Sequence, residues 1–125
     1  MNKILIIEDD NILSKAINTV LTKEGYETLI GIDGEDALLK VKEFKPDLIL
    51  LDLILPKKSG EEVLVEIMKN AETKNIPVLV VTVKSEDESV ARCIDLGARG
   101  YFIKAHYTLD EITNKIKQTL SEIGE

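Results

Sequence analysis

Short apolar runs alternate five times with amphipathic segments along this chain, and that alternation constrains its fold most. The runs are Lys3 to Ile7, Glu27 to Ile32, Leu48 to Leu51, Pro77 to Val81 and Gly100 to Ile103. Between and after them, apolar residues recur at helical spacing. These are Ile12, Leu13, Ala16, Ile17, Val20 and Leu21; Ala37, Leu38, Val41 and Phe44; Val63, Leu64, Ile67 and Met68; Val90, Ala91 and Ile94; and Ile112, Ile116, Leu120 and Ile123. Gly25, Asp33-Gly34, Pro46 and Gly97 punctuate the pattern, and Ser59/Glu62, Ser85/Glu88 and Thr108/Glu111 have capping-box spacing. Strands separated by helices of this length pair in parallel through right-handed crossovers. Helices then cover both faces, so the first, third and fourth runs can be apolar throughout. The expectation is a doubly wound α/β sheet forming a single domain over residues 1–125.

In such a sheet ligands gather at the carboxyl ends of the strands. The first strand ends in Glu8-Asp9-Asp10, the third in Asp52, the fourth in Thr82 and the fifth in Lys104. Crowded carboxylates repel and one would take up a proton, unless a hard cation joins them. Mg2+ suits this set, because it favours oxygen ligands and commonly uses one or two carboxylates with phosphate oxygens. Zinc does not, since Cys93 and His106 are the only thiol and imidazole donors. Lys104 suits a phosphate oxygen as a point charge, and Thr82 can donate a hydroxyl hydrogen bond. Asp52 is then the expected nucleophile, forming an aspartyl phosphate by positioning and charge neutralisation.

Composition excludes several alternatives. A net charge of −7 disfavours direct nucleic-acid binding, which needs clustered Lys and Arg. The lone Cys93 rules out an internal disulfide and reads as a small buried hydrophobe. No apolar run approaches membrane-span length and none resembles a signal peptide, so a cytoplasmic location without membrane association is expected. No Walker A sequence, dinucleotide glycine motif or G-x-S-x-G elbow is present. His106 is expected to be structural or solvent-facing.

With these residues placed, the chain resembles the receiver domain of two-component response regulators from end to end. The resemblance rests on the acidic pair, on Asp52 with Pro56 and Gly60 after it, on Thr82 and on Lys104, in that order on successive strand–helix units. It implies the flavodoxin-like (βα)5 fold with strand order 2-1-3-4-5. It makes Asp52 the phosphoacceptor, Asp9 a direct Mg2+ ligand and Glu8 a ligand through water. Asp52 and the backbone carbonyl of Ile54 would complete the protein's metal ligands. Thr82 and Lys104 would contact the phosphate. Tyr101 would be the switch aromatic, turning inward behind Thr82 on phosphorylation. The readout face would be the fourth helix, fifth strand and fifth helix, roughly Glu86 to Glu122.

The donor would be a phosphohistidine on a sensor histidine kinase or phosphotransfer protein, docking near Asn11 to Val20 and the loop after Lys104. A downstream protein or output domain would read the switch, with a phosphorylation-dependent homodimer as a further partner. The protein would catalyse only its own phosphorylation and dephosphorylation. Ala105 stands where the family usually has proline, so the expectation is a trans bond with a shifted loop or a strained cis exception. Glu8 replaces the commoner aspartate. Ile54 and Lys84 flank the approach to the phosphoryl group, and apolar Ile54 implies slow self-dephosphorylation. A Mg2+-dependent phosphohydrolase and a receiver-like module that is never phosphorylated are the competing readings.

Overall fold

A computed structural model describes residues 2–123. The strands are β1 (Lys3–Ile7), β2 (Glu27–Gly31), β3 (Leu48–Leu51), β4 (Val78–Thr82) and β5 (Gly100–Ile103). The helices are α1 (Asn11–Lys23), α2 (Gly34–Phe44), α3 (Gly60–Lys69), α4 (Asp87–Leu96) and α5 (Leu109–Ile123), with a 3-10 turn at Lys104–His106. The strands form one sheet in the order β2-β1-β3-β4-β5, every pairing parallel. This is the flavodoxin-like order that the receiver-domain resemblance implies.

Successive strand residues face opposite sides, and the two sides make two cores. Leu5, Ile7, Ile49, Leu51, Val78 and Val80 pack with Ala37 and Val41 of α2, Val63, Leu64 and Ile67 of α3, and Cys93 of α4. Ile4, Ile6, Leu48, Leu50, Leu79, Val81 and Phe102 pack with Ile17 and Leu21 of α1 and with Ile112, Ile116 and Leu120 of α5. The central strands β1, β3 and β4 therefore bury nearly every side chain. The edge strand β2 buries only Gly31 fully. Among the described residues, no helix is long and apolar enough to cross a membrane.

Two of the three expected capping boxes form. Ser59 and Glu62 exchange bonds at the start of α3, and Thr108 and Glu111 do so at α5. The box expected at Ser85/Glu88 does not form: α4 starts after Glu86, which makes no side-chain cap bond. The inward face of α4 is correspondingly different. Ser89 and Cys93 are its buried residues, four apart on one face, while Ala91 is exposed and Ile94 is 47% exposed. On α1 the buried stripe is Ser14, Ile17 and Leu21. Ile12 lies about 200° around the helix from Ser14, so it projects into solvent at 83% exposure instead of joining the core. Ile32 also falls outside its expected element, since β2 ends at Gly31 and Ile32 is exposed. Ile123 closes α5 half-exposed rather than inward.

Candidate functional site

The register of the sheet brings the chemistry together. Ile7 pairs with Leu51, so the next residues, Glu8 and Asp52, leave adjacent strands at the same level. The backbone N–H of Asp52 donates to the Ile7 carbonyl at 3.0 Å, and that of Glu8 donates to the Gly31 carbonyl at 2.9 Å. Thr82 ends β4 with no exposed surface, and Ile103 beside it leads into Lys104.

Glu8 and Asp52 are buried, at 4% and 5% exposure. One carboxylate oxygen from each of Glu8, Asp9 and Asp52 lies within 4.8 Å of the others. Asp9 is exposed at the mouth. Asp10 does not join this group. Its carboxylate caps α1, accepting from the N–H groups of Ile12 at 3.0 Å and Leu13 at 3.3 Å.

Lys104 reaches across the group. Its Nζ lies 2.9 Å from Glu8 Oε1 and 3.0 Å from Asp52 Oδ2. All peptide bonds among the described residues are trans, Lys104–Ala105 included. Of the two geometries open at this bond, the chain takes the trans one, with a 3-10 turn, and the ammonium still meets both acids. The other oxygens are also used: Glu8 Oε2 accepts from the Asp10 N–H at 3.2 Å, and Asp52 Oδ1 accepts from the Ile54 N–H at 3.2 Å.

The electrostatics follow. Burial pushes the Glu8 carboxyl up to about 7; the bond from Lys104 opposes this and the negative charge of Asp52 adds to it. Burial works to lower Lys104, but its bonds to Glu8 and Asp52 prevail and hold it above the ordinary lysine range. The donor set is oxygen-only and anionic, which suits a hard divalent cation. Glu8, Asp9 and Asp52 could hold one, with Lys104 sharing the negative charge.

The loop after Asp52 is shaped by backbone contacts. Gly60 N–H donates to the Leu53 carbonyl at 2.9 Å. A Cβ at Gly60 would lie 2.2 Å from the Asp52 carbonyl oxygen and 2.5 Å from Leu53 Cα, so only glycine lets α3 start there. The Pro56 carbonyl accepts from Gly34 N–H at 3.2 Å, tying the loop to α2. Ile54 stands at the mouth, 51% exposed. His106 is exposed.

Tyr101 is half-buried against the core beneath α2, α3 and α4. Its hydroxyl donates to the Lys84 carbonyl at 2.9 Å, so the ring already sits inward in this structure. The Lys84 ammonium lies 3.7 Å from Glu61, and Glu61 is bridged to Arg92. The sequence reading did not find this last pair. Its members are 31 residues apart on different helices, and the α4 periodicity pointed to the wrong face.

A five-stranded parallel sheet in the order 2-1-3-4-5 with an acid–lysine cluster at its carboxyl edge defines the flavodoxin-like class of α/β proteins with a strand-end site. Comparison with known proteins narrows the class. The model of the family described as response regulator receiver domain matches residues 4–117, and the chain belongs to that family. Response regulator ArlR of Staphylococcus saprophyticus is 36% identical over 120 residues, covering 96% of this chain and 53% of that protein. A two-component response regulator from Clostridium difficile superposes with a TM-score of 0.92 at 26% identity, covering 100% of both chains. The Mn(2+)-bound form of response regulator Rcp1 superposes with a TM-score of 0.81 at 33% identity, covering 98% of this chain and 94% of that one. The chain spans about half the length of the curated relatives it matches. Its family role is phosphorylation-dependent signalling.

Proposed function

We propose that Asp52 accepts a phosphoryl group from a phosphohistidine on a sensor kinase or phosphotransfer protein, and that the modified chain signals through its α4–β5–α5 face. The observation that carries this reading is the buried Asp52 carboxylate, with Lys104 Nζ at 3.0 Å and the Glu8 and Asp9 carboxylates beside it. An Asp52 oxygen attacks phosphorus, and the donor imidazole nitrogen leaves with the electrons of the P–N bond. Lys104 then exchanges part of its contact with Asp52 for a phosphoryl oxygen. Thr82, buried one strand away with Lys84 N–H 3.5 Å from its Oγ1, donates its hydroxyl hydrogen to another.

Asp9, Asp52 and the Ile54 carbonyl, with Glu8 through water, would hold Mg2+, which would supply charge neutralisation for the transfer. The donor set supports this ion, and the Mn(2+)-bound form of Rcp1 is a structural relative. Lys104 orients the Asp52 carboxylate through Oδ2 and leaves Oδ1 to the Ile54 N–H. The new charge stabilises the inward position that Tyr101 already holds and changes which partners the α4–β5–α5 face binds, as a two-state switch does.

The test is incubation with acetyl phosphate and Mg2+, read by intact mass. One phosphoryl adduct on the parent and none on Asp52→Asn is expected. Turnover of acetyl phosphate to free phosphate without a lasting adduct would instead support a phosphohydrolase. No adduct from acetyl phosphate or a phosphohistidine donor would support a module that is never phosphorylated.

A further inference from the structure

Glu61 lies in the first turn of α3, directly after the glycine packed on the Asp52 loop, and a second polar cluster is centred on it. Its carboxylate takes two bonds from Arg92 of α4, Nε to Oε1 at 3.1 Å and Nη2 to Oε2 at 2.9 Å. Lys84 Nζ lies 3.7 Å from Oε2 and Ser89 Oγ 3.4 Å from it. The Arg92 guanidinium is the main reason the Glu61 carboxyl is held below the usual carboxylate range. Glu61 thus joins the start of α3 to the segment between β4 and α4 and to the first turns of α4.

The same segment holds Tyr101. The tyrosine hydroxyl has one proton, which it donates to the Lys84 carbonyl at 2.9 Å. Ser89 Oγ lies 3.1 Å from the tyrosine oxygen and 3.4 Å from Glu61 Oε2, so its one proton is shared between these two acceptors. Ser89 is 1% exposed, so this hydroxyl has no access to bulk water and depends on protein partners. Both partners of the tyrosine belong to residues that touch Glu61: Lys84 through its ammonium and Ser89 through its hydroxyl. An exposed ion pair contributes little stability alone, but bidentate arginine geometry fixes orientation.

We propose that Glu61 is a positioning residue for Tyr101, holding Lys84, Ser89 and Arg92 so that the tyrosine finds both partners in its inward position. It thereby couples that position to the Asp52 loop by a route separate from Thr82. The link to signalling rests on the reading of Asp52 as phosphoacceptor and Tyr101 as switch. The Gly60 N–H bond to the Leu53 carbonyl makes the connection short: Asp52 loop, first turn of α3, Glu61, the β4–α4 segment, Tyr101.

The test uses the protein labelled with 3-fluorotyrosine and read by 19F NMR. Its three tyrosines are Tyr26, Tyr101 and Tyr107, and a Tyr101→Phe variant assigns the second. Glu61→Leu is expected to move the Tyr101 resonance toward its position in unfolded protein and leave the other two in place. Glu61→Gln, which keeps one acceptor, should fall between. Arg92→Gln, at an exposed position, should move the same resonance in the same direction and serves where Glu61→Leu fails to fold. Affinity for beryllofluoride with Mg2+ should weaken about fivefold, the lower end of ordinary coupling between sites. A Tyr101 resonance that stays put in the Glu61 and Arg92 variants, even with a lowered melting temperature, overturns the proposal: the bridge would then only dock α3 on α4. Should the parent bind no beryllofluoride while the resonance still moves, the positioning of Tyr101 stands and the phosphoacceptor reading falls.

Discussion

Lys104→Met removes the ammonium between two buried carboxylates and keeps most of the apolar stem. Nζ lies 2.9 Å from Glu8 and 3.0 Å from Asp52. At an effective dielectric constant of about 20, each contact corresponds to roughly 5–6 kcal/mol of Coulomb attraction before desolvation. Desolvation of the three groups cancels much of this. Removing one partner of a buried pair typically costs about 3–5 kcal/mol, and the lysine side chain is 20% exposed, which favours the lower end. A loss of about 3 kcal/mol should lower the melting temperature by roughly 10 °C in a domain of this size.

The loss should depend on pH in a defined direction. The folded-state value of Glu8 is about 7 against an ordinary 4.5, so folding favours its protonated form. The penalty for burying its charge therefore begins as pH rises past about 4.5 and is complete above about 7. The variant should lose more at pH 8 than at pH 5.5, and Mg2+ should restore more stability to it than to the parent. The assay is urea and thermal unfolding of both proteins at the two pH values, with chelator and with Mg2+. Equal stability of parent and variant at pH 8 in chelator would refute the claim that Lys104 compensates these acids.

Three further outcomes follow from the geometry. Mg2+ affinity measured by calorimetry should rise about tenfold from pH 6 to pH 8, because the ion competes with a proton on Glu8, and Glu8→Gln should flatten that dependence. Gly60→Ala should cost about 3 kcal/mol in urea unfolding, since its Cβ would meet backbone atoms of Asp52 and Leu53 that cannot give way. Ile54→Asn should shorten the phosphoryl lifetime, followed by loss of the adduct in intact mass, because an amide at this exposed mouth position can orient water as an isoleucine cannot.

The sheet was readable because its signal is redundant. Ile4 to Ile7, Leu48 to Leu51 and Val78 to Val81 are buried on both faces, and the turn residues between them set the strand–helix rhythm. Strand ends followed from strands, so the meeting of Glu8, Asp9, Asp52 and Lys104 could be anticipated from topology. Helix faces were less legible. Ile12 and Ile94 match an apolar period yet face solvent, while Ser89 lies inward because its hydroxyl finds Tyr101. A polar residue buried by a hydrogen bond looks like a surface residue in sequence, and an exposed isoleucine looks like core. Asp10 stood apart from the acidic pair in sequence, and it caps α1 as an acid just before a helix does. The Glu61–Arg92 bridge left no local trace, because its partners meet only once α3 and α4 have packed.

Chemical mapping of the phosphorylated residue tests the central claim most directly. After reaction with acetyl phosphate and Mg2+, borohydride reduces an acyl phosphate to an alcohol, converting a phosphorylated aspartate to homoserine. Peptide sequencing by mass spectrometry then locates it. Homoserine at position 52 is expected, with none at Asp9 or Asp10. Homoserine elsewhere, or none in a protein that has gained a phosphoryl group by intact mass, would contradict the assignment of Asp52.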